Sequence, residues 1–247
     1  MNTTGRLSAP RFHVPLLLSP GAEISLPARA AQHVAVLRLR PGDAVTLFDG
    51  RGGEYACTLS RITKGETRAR VIARSDIERE SVLDITLAQG LSSGERMDYA
   101  LQKSTELGVC RIQPLATERS VVRLSEDRAE RKYSHWQNVV IAACEQCGRN
   151  RVPEVFPVLT LPEFLSAAPG DAMRLMPVPD AELRLRDLEP ARSIVLLVGP
   201  EGGLTEPERQ SALRAGFTPL RLGPRVLRTE TAPLAAISAL QAMWGDA

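Results

Sequence analysis

Cysteine is scarce in this sequence. The chain has four cysteines in 247 residues, scattered as Cys57, Cys110, Cys144 and Cys147. So few thiols in a chain of this length do not form the disulfide framework of a small secreted protein. We therefore expect reduced thiols and a cytoplasmic protein.

Long apolar runs are also missing. The longest strongly apolar run, Ile194–Val198, is far too short to span a bilayer. Arg6 and Arg11 near the N-terminus enclose no apolar stretch, and Pro15 interrupts the short run Val14–Leu18. We therefore expect neither a secretion signal nor a membrane partner.

Several common catalytic signatures are absent. The sequence has no Gly-x-Ser-x-Gly, and its histidines stand apart from any recognisable partner, so a hydrolase triad has no support. It also lacks the dinucleotide and P-loop fingerprints. Cys144-x-x-Cys147 has no second ligand pair for zinc and lies near the end of a predicted helix, on the same face as Trp136. We interpret these thiols as small buried side chains and predict no metal.

Charge is unevenly distributed along the chain. Residues 1–74 carry eleven basic and five acidic side chains, whereas the whole chain has a net charge of only +2. The basic residues are mostly arginines, whose planar group suits bidentate phosphate contact. This pattern favours an RNA-binding front module, although a genomic bias toward arginine would produce it equally well.

The first third of the sequence reads as β structure with one helix. We predict a helix over 28–39 and strands over 44–48, 54–62 and 67–73, separated by glycine-rich turns. Short strands with such turns favour a small antiparallel barrel.

From Leu83 onward, strands alternate with helices, as in an α/β sheet. Strands are predicted over 83–88, 111–115, 174–178 and 193–198, with helices over 92–107 and 126–147 between them. Ser92-x-x-Glu95, Thr160-x-x-Glu163 and Thr205-x-x-Glu208 are capping-box patterns at helix starts. The predicted organisation is a barrel over 1–74, a linker over 75–82 and an α/β domain over 83–247.

Two strands end in glycine. Val198-Gly199-Pro200-Glu201-Gly202-Gly203 follows the apolar strand, and a predicted strand over 220–223 ends at Gly223-Pro224. Ligands bind beyond the carboxyl ends of strands in open α/β sheets. The second segment continues through Arg225-Val226-Leu227-Arg228-Thr229-Glu230-Thr231, whose mixed character suits a ligand with an apolar ring, a zwitterionic tail and a positive sulfur. An ordinary tight turn and a charged helix lead-in remain the structural alternatives.

The segments LLVGPEGGLTEPE and LGPRVLRTETA closely resemble the RsmE family, bacterial 16S rRNA uridine-N3 methyltransferases of the SPOUT (trefoil-knot) superfamily. HVAVLRLRPGD, LFDG, GERMDYALQKSTELGV and HWQNVVIAACEQCGRNRVPEV are similar to that family as well. The resemblance implies a PUA-like barrel, a knotted α/β methyltransferase domain, S-adenosylmethionine as cofactor, ribosomal RNA of the small subunit as partner and a homodimer.

The resemblance also implies site residues. The cofactor would lie among three loops, formed by Leu175-Met176-Pro177, by Val198 to Gly202 and by Leu222 to Thr229. The predicted cofactor-binding residues are Leu175, Pro177, Leu197, Val198, Gly199, Glu201, Gly202, Leu222, Gly223, Val226, Leu227 and Thr229. Uridine N3 must lose its proton before it becomes nucleophilic. Our hypothesis is that Arg228 stabilises the developing anion, while Glu230 acts as the base or orients Arg228.

RNA contacts are predicted from charge and position. The residues are Arg11, Arg38 and Arg40 in the front module and Glu145, Gln146, Arg149 and Arg151 at the end of the long helix. Solvation and capping of that helix end would explain the second group equally well. Two other functions stay open: a SPOUT methyltransferase acting on another RNA site, and a non-catalytic RNA-binding factor in ribosome assembly.

Overall fold

The structure is a computed structural model that describes residues 9–120, 126–167 and 170–247. It divides into two units. The first comprises the described residues up to Glu80 together with Cys144–Val152, and the second comprises Ser81–Ala143 and Pro153–Ala247. The boundaries predicted from the sequence, at 1–74, 75–82 and 83–247, stay a prediction.

The first unit is a five-stranded sheet with one helix. Its elements are β1 Arg11–His13, β2 Glu23–Ser25, α1 Ala28–Val36, β3 Ala44–Phe48, β4 Glu54–Ile62 and β5 Thr67–Ser75. The strand order is β1-β3-β4-β5-β2. Three of the pairings are antiparallel, but β1 pairs with β3 in parallel. The three strands predicted for the barrel pair antiparallel as expected, but the parallel strand β1 was not predicted, because three residues are too few to give a periodic signal.

Alternation along the strands builds the core of this unit. In β4, Tyr55, Cys57 and Leu59 are buried while Ala56 and Ser60 are exposed. This period of two turns one face of the sheet inward. The buried residues of β4 pack with those of neighbouring elements, including Phe12, Val14, Leu18, Leu26, Ala30, Val34, Val45, Leu47, Ala69 and Val71.

The second unit contains the remaining strands and most of the helices. Its elements are β6 Asp84–Gly90, α2 Gly94–Glu106, β7 Arg111–Ala116, β8 Glu154–Val155, β9 Leu159–Thr160, α4 Leu161–Ala167, β10 Met173–Pro177, β11 Ser193–Val198, α5 Glu206–Arg214, β12 Thr218–Leu220 and α6 Thr231–Trp244. The long helix α3, Glu126–Cys147, lies in this unit up to Ala143. A short 3₁₀ turn spans Leu185–Asp187.

All strands of the second sheet run in parallel, in the order β12-β10-β11-β6-β7-β8, and β9 pairs with β7. Strand β11 lies between β10 and β6, and its residues from Ile194 to Val198 are all buried. Continuous burial is typical of a central parallel strand covered on both faces. The carboxyl ends of β10 and β11 therefore meet at one edge of the sheet.

Two of the three predicted capping boxes form. The Thr205 side chain accepts from the Glu208 amide while Glu208 accepts from the Thr205 amide, and Thr160 and Glu163 make the same exchange. The box predicted at Ser92 is wrong: the N-cap of α2 is Ser93, whose amide donates to Glu201. Glu201, a carboxylate distant in sequence, thus takes the place at the start of α2 that was predicted for Glu95.

The strand predicted over 220–223 is also misplaced, because β12 ends at Leu220. The predicted buried thiol pair is half correct, since Cys144 is buried and Cys147 is only partly buried. In the part of the chain that the structure describes, no helix is long and apolar enough to cross a membrane. The same residues contain no cluster of three metal-ligating side chains.

Candidate functional site

A cavity of about 560 Å³ opens beside the carboxyl ends of β10 and β11 in the second unit. Its volume lies within the range of small-molecule sites. Three separate stretches of chain supply most of its wall: the end of β10 with the residues after it, the segment after β11 and the segment before α6. The lining residues are Arg96, Arg119, Met176, Pro177, Val178, Pro179, Val198, Gly199, Pro200, Glu201, Gly202, Gly203, Leu204, Arg209, Val226, Leu227, Arg228, Thr229 and Ala232.

The segment after β11 turns tightly back on itself at Gly199. A Cβ atom at this position would lie 3.0 Å from the Leu204 nitrogen and 3.1 Å from the Gly203 carbonyl carbon, both of them backbone atoms. Backbone cannot move aside as a flexible side chain can. A side chain at position 199 would therefore need this backbone to shift by a few tenths of an ångström, so glycine fits the turn best, whether or not a ligand is bound.

A chain of hydrogen bonds holds the segment before α6 against this turn. The fully buried Gln89 side chain on β6 donates from Nε2 to Thr229 Oγ1 over 3.0 Å. Thr229 Oγ1 in turn donates to the Gly199 carbonyl oxygen over 2.7 Å. The threonine hydroxyl thus accepts one hydrogen bond and donates another, which fixes two walls of the cavity relative to the sheet.

Glu201 links the segment after β11 to the start of α2. Its Oε1 atom accepts the Ser93 amide over 2.8 Å and lies 3.2 Å from an Arg96 guanidinium nitrogen. Burial opposes ionisation of Glu201, but the hydrogen bond from Ser93 and the nearby charge of Arg96 leave its pKa below the ordinary value. Glu201 is therefore a carboxylate at neutral pH and caps α2 as an anion.

Arg228 and Glu230 lie where the cavity meets α6. Arg228 lines the cavity and its side chain is 76% exposed. Glu230 is the N-cap residue of α6, with a side chain that is only 14% exposed. The closest approach of Arg228 Nη1 to Glu230 Oε1 is 3.9 Å, which is longer than a hydrogen bond. The guanidinium is therefore available to a ligand.

Most predicted cofactor-binding residues converge on the cavity. Pro177, Val198, Gly199, Glu201, Gly202, Val226, Leu227 and Thr229 line it. Leu222 and Gly223 line a smaller adjoining cavity of about 60 Å³ that shares Pro177 and Leu227. Leu175 and Leu197 are fully buried within their strands and face neither cavity. The assignment of these residues to a cofactor stays a prediction.

Two arginines of this cavity were not predicted from the sequence. Arg96 lies in the first turns of α2, and Arg119 follows β7 and donates to the Gly202 carbonyl oxygen over 2.9 Å. Arg119 could have been predicted from the sequence, because it lies just beyond the carboxyl end of a parallel strand. Arg96 had no such signal, since only the fold brings the start of α2 to Glu201.

The predicted RNA contacts of the first unit fall into two groups. Arg11, Glu145 and Arg149 are held internally. Arg11 Nη2 donates to Asn150 Oδ1 over 2.6 Å, Glu145 Oε2 lies 2.8 Å from Arg29 Nη2, and the buried Arg149 pairs with Glu80. Arg38, Arg40, Gln146 and Arg151 are exposed. Contact of either group with RNA stays a prediction. Exposure favours this contact for the second group alone.

Both units of this chain resemble known protein domains. Residues 79–241 match the model of an RNA methyltransferase domain, and residues 26–72 match that of an RNA methyltransferase PUA domain. A ribosomal RNA small subunit methyltransferase E of Buchnera aphidicola is 34% identical over 96% of this chain and 97% of its own. This chain belongs to that methyltransferase family.

Two solved structures of high similarity hold S-adenosylmethionine. A ribosomal RNA small subunit methyltransferase E from Neisseria gonorrhoeae is 46% identical, with a TM-score of 0.91 over 96% of this chain and 99% of that one. A methyltransferase from Legionella pneumophila is 40% identical, with a TM-score of 0.94 over 97% of this chain and 99% of that one. The family, the PUA-like and α/β fold class and the enzyme class predicted from the sequence are confirmed. The knot and the homodimer stay predictions.

Proposed function

We propose that this chain methylates N3 of a uridine in the 16S ribosomal RNA of the small subunit. The observation that carries the proposal is the cavity beside β10 and β11, which the exposed Arg228 lines with the Glu230 carboxylate 3.9 Å from it, in a member of the methyltransferase E family. The cofactor is S-adenosylmethionine, which two similar solved structures contain.

The cavity wall suits this cofactor. Met176, Val178 and Leu227 supply apolar surface for an adenine ring. Glu201 supplies negative charge, and its Oε2 atom is buried without a hydrogen-bond partner among the described residues. A carboxylate oxygen in that state is a site for a donor group of the ligand, because a buried polar atom left unpaired is unfavourable.

The chemistry assigns roles to two residues. S-adenosylmethionine supplies an electrophilic methyl group, so that the N3–C bond forms as the C–S bond breaks and its electron pair stays on sulfur. Glu230 accepts the N3 proton, and Arg228 stabilises the negative charge that spreads over the base. The gap of 3.9 Å between the two side chains supports the base role for Glu230 over that of orienting Arg228.

The RNA substrate would meet exposed arginines of the first unit. Arg38 and Arg40 follow α1 and are both exposed. Contacts of this kind neutralise phosphates without reading base sequence. A ribosomal substrate also implies that the protein acts in the cytoplasm.

A homodimer and a trefoil knot belong to the same proposal. The resemblance to SPOUT methyltransferases implies a site shared between two copies, and α6 has small or apolar side chains for such a contact. Ala235, Ala239 and Met243 line a groove of about 540 Å³, and Met243 is 43% exposed. Sedimentation analysis should give a dimer for the wild type and a monomer for Ala239→Arg.

Mapping of ribosomal RNA by mass spectrometry tests the function. Cells that lack the protein should lack one N3-methyluridine, and the recombinant protein with S-adenosylmethionine should restore it. Arg228→Ala should lower the rate by roughly 10²–10³-fold while cofactor binding remains. A methyl group missing from another RNA would favour the alternative substrate. Absence of cofactor binding in calorimetry would favour the non-catalytic assembly factor.

A further inference from the structure

Arg96 lies between two carboxylates of the cavity region. Arg96 Nη1 is 3.2 Å from Glu201 Oε1, and Arg96 Nε is 4.0 Å from Glu230 Oε2. Its side chain is 41% exposed and lines the cavity. One end of the guanidinium is therefore anchored while the rest faces the site.

The anchor is firm because Glu201 is itself fixed. The Glu201 carboxylate accepts the Ser93 amide at the start of α2, and Arg96 stands three positions further along the same helix. The start of α2, the Glu201 carboxylate and the Arg96 guanidinium thus hold one another in place. Such an arrangement sets the direction of the remaining Arg96 donors before any ligand arrives.

Glu230 has an arginine on either side. Arg96 Nε approaches Oε2 to 4.0 Å and Arg228 Nη1 approaches Oε1 to 3.9 Å. Both separations exceed a hydrogen bond, and Glu230 Oε2 is buried without a partner among the described residues. Arg96, Glu230 and Arg228 therefore do not satisfy one another's hydrogen-bonding groups, and the Glu230 acceptor still lacks a donor.

We propose that Arg96, Glu230 and Arg228 together recognise the imide edge of the target uracil, an inference that rests on the proposed function. That edge offers O4 as acceptor, N3–H as donor and O2 as acceptor, the complement of the row in the protein. The two arginines bind the carbonyl oxygens and Glu230 accepts from N3–H. Cytosine presents an amino donor to one arginine and an N3 lone pair to the carboxylate, so it is rejected.

The same row favours the reaction. As the N3 proton passes to Glu230, negative charge spreads over N3, O2 and O4. Charge-assisted hydrogen bonds from the guanidinium groups to these oxygens strengthen as the oxygens become more negative in the transition state. Arg96 is therefore a specificity-determining residue that also lowers the barrier, although nothing in its sequence position marks it.

Steady-state methylation of small-subunit RNA from the deletion strain tests this role. Arg96→Met should lower kcat by roughly 10²–10³-fold, as expected for one donor to developing negative charge, at cofactor concentrations that saturate each variant. Arg96→Lys should recover part of the rate. Arg214→Met serves as the matched control, because Arg214 is exposed on α5 and bonds Ser211, away from the cavity.

A second substrate separates charge stabilisation from a structural effect. RNA carrying 5-fluorouridine has a more acidic N3–H, so its reaction needs less help from the protein and the loss in Arg96→Met should shrink. An equal loss on both substrates, or a loss of cofactor affinity that accounts for it, would overturn the inference. If Arg96→Met fails to fold, the same comparison is made with Arg96→Lys. A wild-type protein that methylates no uridine overturns the proposed function, whereas a fully active Arg96→Met overturns only this inference.

Discussion

The hydroxyl of Thr229 donates a hydrogen bond of 2.7 Å to the carbonyl oxygen of Gly199. These residues lie 30 positions apart, in the two segments that form most of the cavity wall. Gln89 donates to the same hydroxyl from β6. The shape of the cavity therefore depends on the Thr229 hydroxyl, which a conservative substitution can remove.

Thr229→Val should weaken S-adenosylmethionine binding. Valine has nearly the same shape but leaves the Gln89 amide and the Gly199 carbonyl without their shared partner, which costs about 1–3 kcal/mol for buried groups. Calorimetry should therefore give a dissociation constant roughly 5- to 150-fold above that of the wild type. Thr229→Ser keeps the hydroxyl and should bind almost normally. Equal affinity in the valine variant would show that the hydrogen bonds do not shape the site.

Local pattern was enough to predict most of the fold. Periodicity gave α3 and β11 with their observed bounds, and the Thr205–Glu208 pair gave the start of α5. These features depend on side chains a few positions apart, so a single sequence carries the signal. Three-residue strands such as β1 and β12 were missed or misplaced, because so few residues define no period.

The site could be predicted only in part. Gly199 and Thr229 lie in glycine-ended or charged segments that follow strands, which local reasoning can find. Arg96 becomes part of the site through Glu201, which lies 105 positions away along the chain. Conversely, Arg11 was predicted to bind phosphate but pairs with Asn150 and Glu54 inside its own unit. Long-range pairing of charges is decided by tertiary structure, and charge counts do not reveal it.

Glu54→Gln should reduce the loss of stability in acid. Burial raises the pKa of Glu54, but hydrogen bonds from Arg11 and Arg79 outweigh it, so the net pKa lies below the ordinary 4.5. A carboxylate with a lowered pKa in the folded state stabilises the protein above that ordinary value and loses this contribution as the pH falls below it. Urea unfolding across this range should show the wild type losing more stability than the variant. In an Arg11→Met background the difference should shrink.

Cys57 and Cys144 should resist alkylation in the native protein. Burial raises the pKa of the Cys57 thiol to about 11 and that of Cys144 to about 12. Only the thiolate is an effective nucleophile, and both side chains are almost completely inaccessible. Mass spectrometry after iodoacetamide treatment at neutral pH should find these two positions unmodified. All four cysteines should react in urea. Rapid native labelling of Cys144 would contradict its burial.

Substitution of exposed and internal arginines should separate RNA binding from stability. Arg38→Gln and Arg40→Gln remove exposed guanidinium groups. If each contacts one phosphate, the slope of log affinity against log salt should fall by about 0.7–0.9 per substitution. Arg11→Met should leave that slope unchanged and lower the free energy of unfolding by about 1–3 kcal/mol, because Glu54 and Asn150 lose a buried partner. Filter binding across a salt series and urea unfolding measure the two effects. A changed salt slope for Arg11→Met at unchanged stability would instead assign Arg11 to the RNA interface, as its charge and position in the sequence first indicated.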